Sequence, residues 1–154
     1  PVITVIGDGS IMMNIQEFET IRYNKIPLKV FVINNNAYAI IRKRQKELFR
    51  KRTIGTDDSN GLSVPDFKNV AKCFDLQYEL ISKSANLESK IDSIIKMDGP
   101  VLCEIMGTDA QEYVEVAVTR NKKNGLVRRP LEDQYPFLER KLFLSEMIVD
   151  PIDQ

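Results

Sequence analysis

The sequence predicts an α/β fold, a doubly wound parallel sheet with helices on both faces, followed by an irregular C-terminal tail. Short apolar runs rich in β-branched residues alternate with longer segments of helical composition. At 154 residues and 43% hydrophobic, the chain is long enough to bury a core. Strands separated by helices of this length favour a parallel sheet, in which ligands bind beyond the carboxyl ends of the strands.

The first predicted strand covers residues 2–6, a run too short for a helix, and ends at Gly7. Ser10 is the predicted N-cap of a helix that ends before Pro27. That helix has apolar residues at three- and four-residue spacing, at Ile11, Ile15, Phe18 and Ile21. Residues 28–33 form the second predicted strand, which three asparagines at 34–36 close.

The remaining elements continue the alternation. From about residue 37 a basic segment of helical composition runs to residue 52, and a loop follows through Gly55 and Gly61. Pro65 is predicted as the first residue of a helix that reaches residue 73 or 74. A strand at 76–81, a helix at 87–97 and a strand at 100–106 complete a βαβαβαβ order.

The last third of the chain is less regular. Residues 112–115 and 120–125 have the composition of loops, and Pro130, Pro136 and Pro151 interrupt any long helix. Residues 138–148 are predicted to form one short helix. A surface cover or a subunit contact is the expected role of this tail.

The composition excludes several classes of function. The formal net charge is zero, which does not indicate a general nucleic-acid binder. The chain has no histidine, so it supplies no Ser-His-Asp or Cys-His machinery and no His-ligated zinc. Its two cysteines are too few for a disulfide framework, and no apolar run reaches the roughly 20 residues of a membrane span. A cytoplasmic location without membrane or nucleic-acid partners is expected.

Two polar clusters follow the first two predicted strands. Asp8 lies between Gly7 and Gly9, and Asn35 lies in the asparagine run. If the two strands are neighbours in the sheet, Asp8 and Asn35 emerge on the same edge. Carboxylate and amide oxygens suit Mg²⁺, and amide groups at a helix start attract phosphate. A magnesium-bound diphosphate satisfies both conditions, although each cluster taken alone is more often an ordinary loop.

The order GDGS at 7–10 and INNN at 33–36 resembles the signature of thiamine diphosphate enzymes, in which the two motifs lie roughly 25 to 30 residues apart. The intervening sequence, with a Met-Asn-x-Gln-Glu helix and Pro27, is similar to the acetolactate synthase version. The resemblance implies that Asp8, the Asn35 side chain and the main-chain oxygen of Ala37 ligate magnesium. It also implies cofactor contacts by the residues Gly7, Gly9, Ser10, Tyr38 and Ala39.

By the same resemblance, the chain is the C-terminal thiamine diphosphate-binding domain, residues 1–154, of a larger enzyme. Such an enzyme decarboxylates a 2-keto acid, with pyruvate as the expected donor, and ligates the product to a second carbonyl compound. The alternatives are a simple 2-keto acid decarboxylase or C–C hydrolase, and a noncatalytic cofactor-binding module. The family's activating glutamate belongs to the pyrimidine-binding domain of a partner subunit, so the isolated fragment is expected to be inactive. A homodimer or homotetramer is expected.

The chain departs from acetolactate synthases after the asparagine run. Ala39 replaces a common Gly and Ile40 replaces a common Met. Residues 42–45 read Arg-Lys-Arg-Gln, in a stretch where the family often places a bulky apolar side chain. The stretches 40–45, 61–67 and 128–149 resemble a branch of acetolactate synthase-like proteins associated with bacterial surface polysaccharide and O-antigen gene clusters. Arg42 and Gln45 are the predicted substrate contacts. A solvated helix face remains the alternative interpretation of the basic segment 42–52.

Overall fold

The computed structural model describes residues 2–111, 118–121, 125–128, 130–134 and 137–151. The chain divides into two compact units, Pro1–Gln111 and Glu112–Gln154. The first unit contains four strands: β1 (Val2–Gly7), β2 (Leu28–Asn34), β3 (Gln77–Ile81) and β4 (Val101–Met106). Its helices are α1 (Asp8–Ile11), α2 (Glu17–Tyr23), α3 (Ala39–Leu48), α4 (Phe67–Cys73) and α5 (Leu87–Ile95), with a 3₁₀ turn at Asp58–Asn60.

The four strands form one parallel sheet in the order β1-β2-β4-β3. Gly7 at the end of β1 pairs with Ile33, and Asn34 at the end of β2 pairs with Met106. The polar segments that follow β1, β2 and β4 therefore lie together at the carboxyl edge of the sheet. The predicted fold class and the neighbouring positions of the first two strands are confirmed.

The sheet is covered on both faces because successive residues of a strand point in opposite directions. On one face, Val30 and Val32 pack with residues of α1, α2 and α4, including Phe18 and Phe67, which are 2% and 0% exposed. On the other face, Phe31 packs with Ile94 of α5. Burying an aromatic side chain of this kind contributes about 1.5–3 kcal/mol relative to leaving it exposed.

The helix predicted after the first strand differs from the structure. It divides into α1 and α2, which are joined by turns with bonds between residues three apart, such as Met13 N–H to the Ser10 carbonyl at 3.2 Å. Ser10 is wrong as the N-cap, since it lies inside α1. The chain enters α1 directly from β1, and the Asp8 carboxylate accepts from the Gly9 N–H at 2.7 Å, which satisfies a free amide at the helix start.

Two other predicted helix limits are corrected. The basic helix ends at Leu48, and Arg50 and Lys51 take positive φ values that a helix does not allow. Pro65 is not the first residue of α4, because Asp66 caps that helix by accepting from the Asn69 N–H at 3.0 Å. The predicted strands and the helix at 87–97 match the observed elements to within two residues.

The second unit contains an antiparallel pair, β5 (Val118–Asn121) and β6 (Gly125–Arg128), a 3₁₀ turn at Leu131–Asp133, and α6 (Arg140–Glu146). The loop predicted at 120–125 is thus wrong for residues 120, 121 and 125, which lie in strands, while 122–124 lie outside the described residues. The loop predicted at 112–115 also lies outside them. The predicted short helix is present, and Glu139 caps it by accepting from the Lys141 and Leu142 N–H groups.

Candidate functional site

The candidate site lies at the carboxyl edge of the sheet, where Asp8 meets the loop of residues 34–37. Asp8 is 4% exposed, and its Oδ2 accepts a hydrogen bond from the main-chain N–H of Asn35 at 3.1 Å. The side chain of Asn35 accepts from the Ala37 N–H at 3.2 Å. The parallel pairing of β1 with β2 therefore brings the two predicted metal ligands Asp8 and Asn35 to one place.

Gly9 lies directly against the ring of Tyr38. A β-carbon at position 9 would come within 2.1 Å of the Tyr38 Cε1 atom. Gly9 thus lets the start of α1 approach the segment after β2 more closely than any other residue would. Tyr38 is half-buried, and Ala39, the first residue of α3, is 8% exposed.

The 34–37 loop is fixed by Asn34, which is 3% exposed. The Asn34 side-chain oxygen accepts from the Asn36 N–H at 2.9 Å, and the Asn34 main-chain carbonyl accepts from the Gly107 N–H at 2.7 Å. These bonds hold Asn36 in a left-handed conformation with φ of 53°, which asparagine tolerates better than most residues. The Ala37 backbone pairs with Asp57 in an isolated bridge, which adds a second anchor.

A buried carboxylate lies behind the loop. Glu104 in β4 is 8% exposed; it accepts from the Asn34 Nδ2 at 2.6 Å and from the Tyr78 hydroxyl at 2.5 Å. Burial, together with the bond to the Glu104 carboxylate, raises the pKa of Tyr78 well above its ordinary value, so the phenol stays a donor. Sequence reasoning missed Glu104 and Tyr78. The available signal was one charged residue inside the otherwise apolar strand VLCEIM.

Arg42 in α3 joins three segments of the chain. Its guanidinium donates to Asp57 at 3.2 Å and to Asp109 at 2.9 Å, and it also bonds the Asp109 carbonyl. The bond to Asp109 raises the pKa of Arg42. Hydrogen bonds from Ser59, and then from Arg42 and Thr56, lower the pKa of Asp57 to about 2. Asp57 and Arg42 are therefore both charged at neutral pH.

Gln45 has both ends of its amide bound to one backbone position. Its Nε2 donates to the Ile54 carbonyl at 3.1 Å, and its Oε1 accepts from the Ile54 N–H at 2.8 Å. The polar atoms of Arg42 and Gln45, the two predicted substrate contacts, are thus engaged within the chain. Direct contact of either residue with substrate stays a prediction, and it would require these hydrogen bonds to be exchanged.

A cavity of about 530 Å³ opens beside the loop. Its lining comes from the segments 35–36, 57–59 and 107–109, together with Arg42. The Asp57, Asp58 and Asp109 carboxylates outnumber the single guanidinium, so the wall is polar and carries net negative charge. A cavity of this volume has the size of an ordinary small-molecule site.

Comparison with known proteins gives the family. Residues 1–105 match the family described as thiamine pyrophosphate enzyme, C-terminal TPP binding domain. The chain belongs to this family. Thiamine pyrophosphate, or TPP, is the same compound as thiamine diphosphate, so the predicted resemblance is confirmed at this level.

Individual relatives of the TPP-binding domain are acetolactate synthases. The chain is 31% identical over 104 residues to the acetolactate synthase isozyme 2 large subunit of Escherichia coli (strain K12), a match that covers 68% of this chain and 18% of that protein. It is 32% identical over 117 residues to the large subunit of Cyanidium caldarium, covering 75% and 20%. The domain therefore spans about a fifth of the length of these relatives.

The described part of the TPP-binding domain contains no group of three His, Cys, Asp or Glu side chains arranged to hold a metal ion. Of the three expected magnesium ligands, only Asp8 belongs to these four residue types. The other two are the amide oxygen of Asn35 and the main-chain oxygen of Ala37. Ser10, one of the predicted cofactor contacts, is exposed in α1, and Gly7, another, ends β1. Among the described residues, no helix has the length and apolar character of a membrane span.

Proposed function

We propose that this domain binds thiamine diphosphate through Mg²⁺ in an acetolactate synthase-like enzyme. The observation that carries the proposal is the meeting of Asp8 and Asn35 at the carboxyl edge of β1 and β2, in a chain of the TPP-binding family. The donors fit the metal, because a carboxylate, an amide oxygen and the Ala37 carbonyl are hard oxygen ligands that leave room for phosphate oxygens and water. The proposed ligands are thus the three predicted from the sequence.

The start of α1 supplies the proposed contacts to the diphosphate. Gly7, Gly9 and Ser10 lie at the turn from β1 into α1, and amide groups at the start of a helix attract phosphate oxygens. Tyr38 and Ala39 form the neighbouring wall, and the ring of Tyr38 already contacts Gly9. These residues would bind and orient the cofactor. The thiazolium ring of the cofactor, when bound, would supply the carbanion chemistry that removes CO₂ from a 2-keto acid.

We infer that the complete reaction is decarboxylation of a 2-keto acid, with pyruvate as donor, followed by ligation to a second carbonyl compound. Support comes from the acetolactate synthases that the chain resembles. The chain spans about a fifth of their length. We propose that the activating glutamate belongs to a pyrimidine-binding domain elsewhere in the full-length enzyme. We also propose that the enzyme is a homodimer or homotetramer, in which a partner subunit supplies that glutamate. Product analysis of the full-length enzyme with pyruvate tests this. Free acetaldehyde without a ligated product would instead indicate a simple decarboxylase.

Calorimetric titration of the full-length protein with thiamine diphosphate, in the presence and absence of Mg²⁺, tests the cofactor assignment. Wild-type protein is expected to bind saturably and only with Mg²⁺. Asp8→Ala should weaken binding by more than about 10-fold, since even outer partners of a metal site cost that much. Asp92→Ala, at an exposed position of α5, is the matched control. Cofactor binding that survives Asp8→Ala unchanged would refute the assignment.

A further inference from the structure

A chain of hydrogen-bonded polar groups, with the buried residues Asn34 and Glu104 at its centre, runs from β3 through β4 to the 34–37 loop. Tyr78 donates to one oxygen of the Glu104 carboxylate, and Asn34 donates to the other, at 2.5 and 2.6 Å. The opposite end of the Asn34 amide accepts from the Asn36 N–H at 2.9 Å. The loop that carries Asn35 is thereby connected to a carboxylate two strands away from β1.

The chemistry of the three groups allows one arrangement only. The NH₂ end of the Asn34 amide donates to the Oε1 oxygen of Glu104. The oxygen end then faces the Asn36 N–H, which is a donor. A reversed amide would leave two donors facing each other at Asn36 and two acceptors facing each other at Glu104. Glu104 and the Asn36 N–H therefore hold the Asn34 amide in this orientation from its two ends.

The position of Asn35 depends on that orientation. Asn35 lies between Asn34 and Asn36, whose positive φ is held by the bond from Asn34. The proposed metal ligands on either side of this turn, the Asn35 side chain and the Ala37 carbonyl, follow from the same backbone conformation. Partners behind metal ligands of this kind fix ligand geometry and commonly change metal affinity by 10- to 100-fold when they are removed.

We propose that Glu104 is a positioning residue, which acts through Asn34, for the Mg²⁺ and diphosphate site. The proposal rests on the function proposed above for Asp8 and Asn35. Glu104 touches neither metal nor cofactor, and its effect is to hold the 34–37 loop in the conformation that aims Asn35. Tyr78 supports it by binding the second carboxylate oxygen, which would otherwise be buried without a donor.

The first experiment measures how well the amide hydrogens of the 34–37 loop are protected from exchange when no cofactor is present. Hydrogen–deuterium exchange of the full-length protein is compared for wild type, Glu104→Ala and Glu104→Gln, with Glu79→Ala as the control at an exposed position of β3. Glu104→Ala should speed exchange at the Asn36 amide by at least about 10-fold. Glu104→Gln keeps an oxygen for Asn34 and should change exchange less. Unchanged protection of Asn36 in Glu104→Ala would overturn the proposal.

The second experiment measures Mg²⁺ affinity by calorimetry at a fixed concentration of thiamine diphosphate. Glu104→Ala and Asn34→Ala should each raise the Mg²⁺ Kd about 10- to 100-fold, and the double variant should lose no more than either single one. Losses that multiply in the double variant would show that Glu104 does not act through Asn34. If Glu104→Ala does not fold, Tyr78→Phe and Glu104→Gln carry the test, with an expected rise of about 3- to 10-fold that Glu79→Ala must not show.

The two experiments separate failure of the inference from failure of the proposed function. Wild-type protein that binds no cofactor, while Glu104→Ala still loosens the loop, would refute the function and leave the structural part of the inference intact. Wild-type protein that binds normally, with an Mg²⁺ Kd unchanged in every Glu104 variant, would refute the positioning role alone.

Discussion

The carboxylate of Asp8 accepts a hydrogen bond from the main-chain N–H of Asn35, although 27 positions separate the two residues in sequence. The contact exists because β1 and β2 are adjacent and parallel, so their carboxyl ends coincide. This hydrogen bond joins the two segments that carry the proposed magnesium ligands, and it is made within the protein itself. Variants around this contact give the most direct tests of the site.

Replacing Gly9 with alanine should place a methyl group into the ring of Tyr38, at about the 2.1 Å separation given above. We expect a loss of about 1–3 kcal/mol in the free energy of unfolding, which is the usual cost of overpacking. The backbone of Gly9 is helical, so the cost is steric and should largely disappear in the double variant Gly9→Ala, Tyr38→Ala. Urea unfolding of wild type, Gly9→Ala, Tyr38→Ala and the double variant measures this, because the double variant is compared with Tyr38→Ala. Equal destabilisation with and without the Tyr38 ring would contradict it.

Arg42→Ala should release the segment 107–109 from α3. Because Arg42 has a side chain 13% exposed and binds two carboxylates, we expect a loss of about 1–2 kcal/mol in unfolding free energy, below the value for a fully buried pair. Arg22→Ala, which removes an exposed pair with Glu19, is the control and should cost less than Arg42→Ala. Denaturant unfolding compares the two. A loss for Arg42→Ala no larger than that for the control would refute a bridging role.

The lowered pKa of Asp57 predicts a pH dependence of stability. In the unfolded chain this carboxyl takes up a proton near its ordinary pKa of 3.8, and in the folded protein only near about 2. Its contribution is therefore complete above pH 4 and is lost as the pH falls towards 2. The stability difference between wild type and Asp57→Asn should be constant from pH 5 to 8 and shrink below about pH 4. A difference that grows on acidification would have the wrong sign.

The two cysteines should differ in reactivity. Cys103 is 0% exposed, and burial, with a smaller effect of Glu79, raises its pKa to about 11, whereas Cys73 is exposed. At pH 8 only about one Cys103 thiol in a thousand is a thiolate, the reactive form. Iodoacetamide labelling followed by peptide mass spectrometry should modify Cys73 and spare Cys103. Comparable labelling of both in the native protein would contradict the burial of β4.

The sequence was sufficient for the sheet and for the position of its chemically active edge. β-branched runs define β1 and β2, and the motifs after them identify Asp8 and Asn35, since both depend on local composition. The limits of α1, α2 and α4 were less predictable, because neighbouring residues can each cap a helix and thereby move its first residue by one or two positions. Asp8 binds the Gly9 N–H at a helix start that precedes the predicted N-cap Ser10, and Asp66 caps the helix that Pro65 was predicted to begin.

Interactions between distant segments could not be predicted from local patterns. Lys29 and Glu104 are oppositely charged and lie in the adjacent buried strands β2 and β4, so a simple rule would pair them. The register separates them, because Lys29 lies opposite Val101 and Glu104 lies opposite Val32. Lys29 instead donates to the Met97 and Gly99 carbonyls, while Glu104 binds Asn34 and Tyr78. The strand order and the register together determine these partners.

The strand order also affects how the domain forms during synthesis. β4 is the last strand of the sheet in the chain, yet it lies between β2 and β3, so β3 pairs with no strand of the sheet until residues 101–106 have left the ribosome. Long-range parallel pairing of this kind is slow and leaves apolar strands exposed in the meantime. Glu104 and Gly107, which hold the 34–37 loop, arrive in the same late segment. A nascent chain truncated before residue 101 would thus contain Asp8 and Asn35 but lack the contacts that Glu104 and Gly107 make with Asn34.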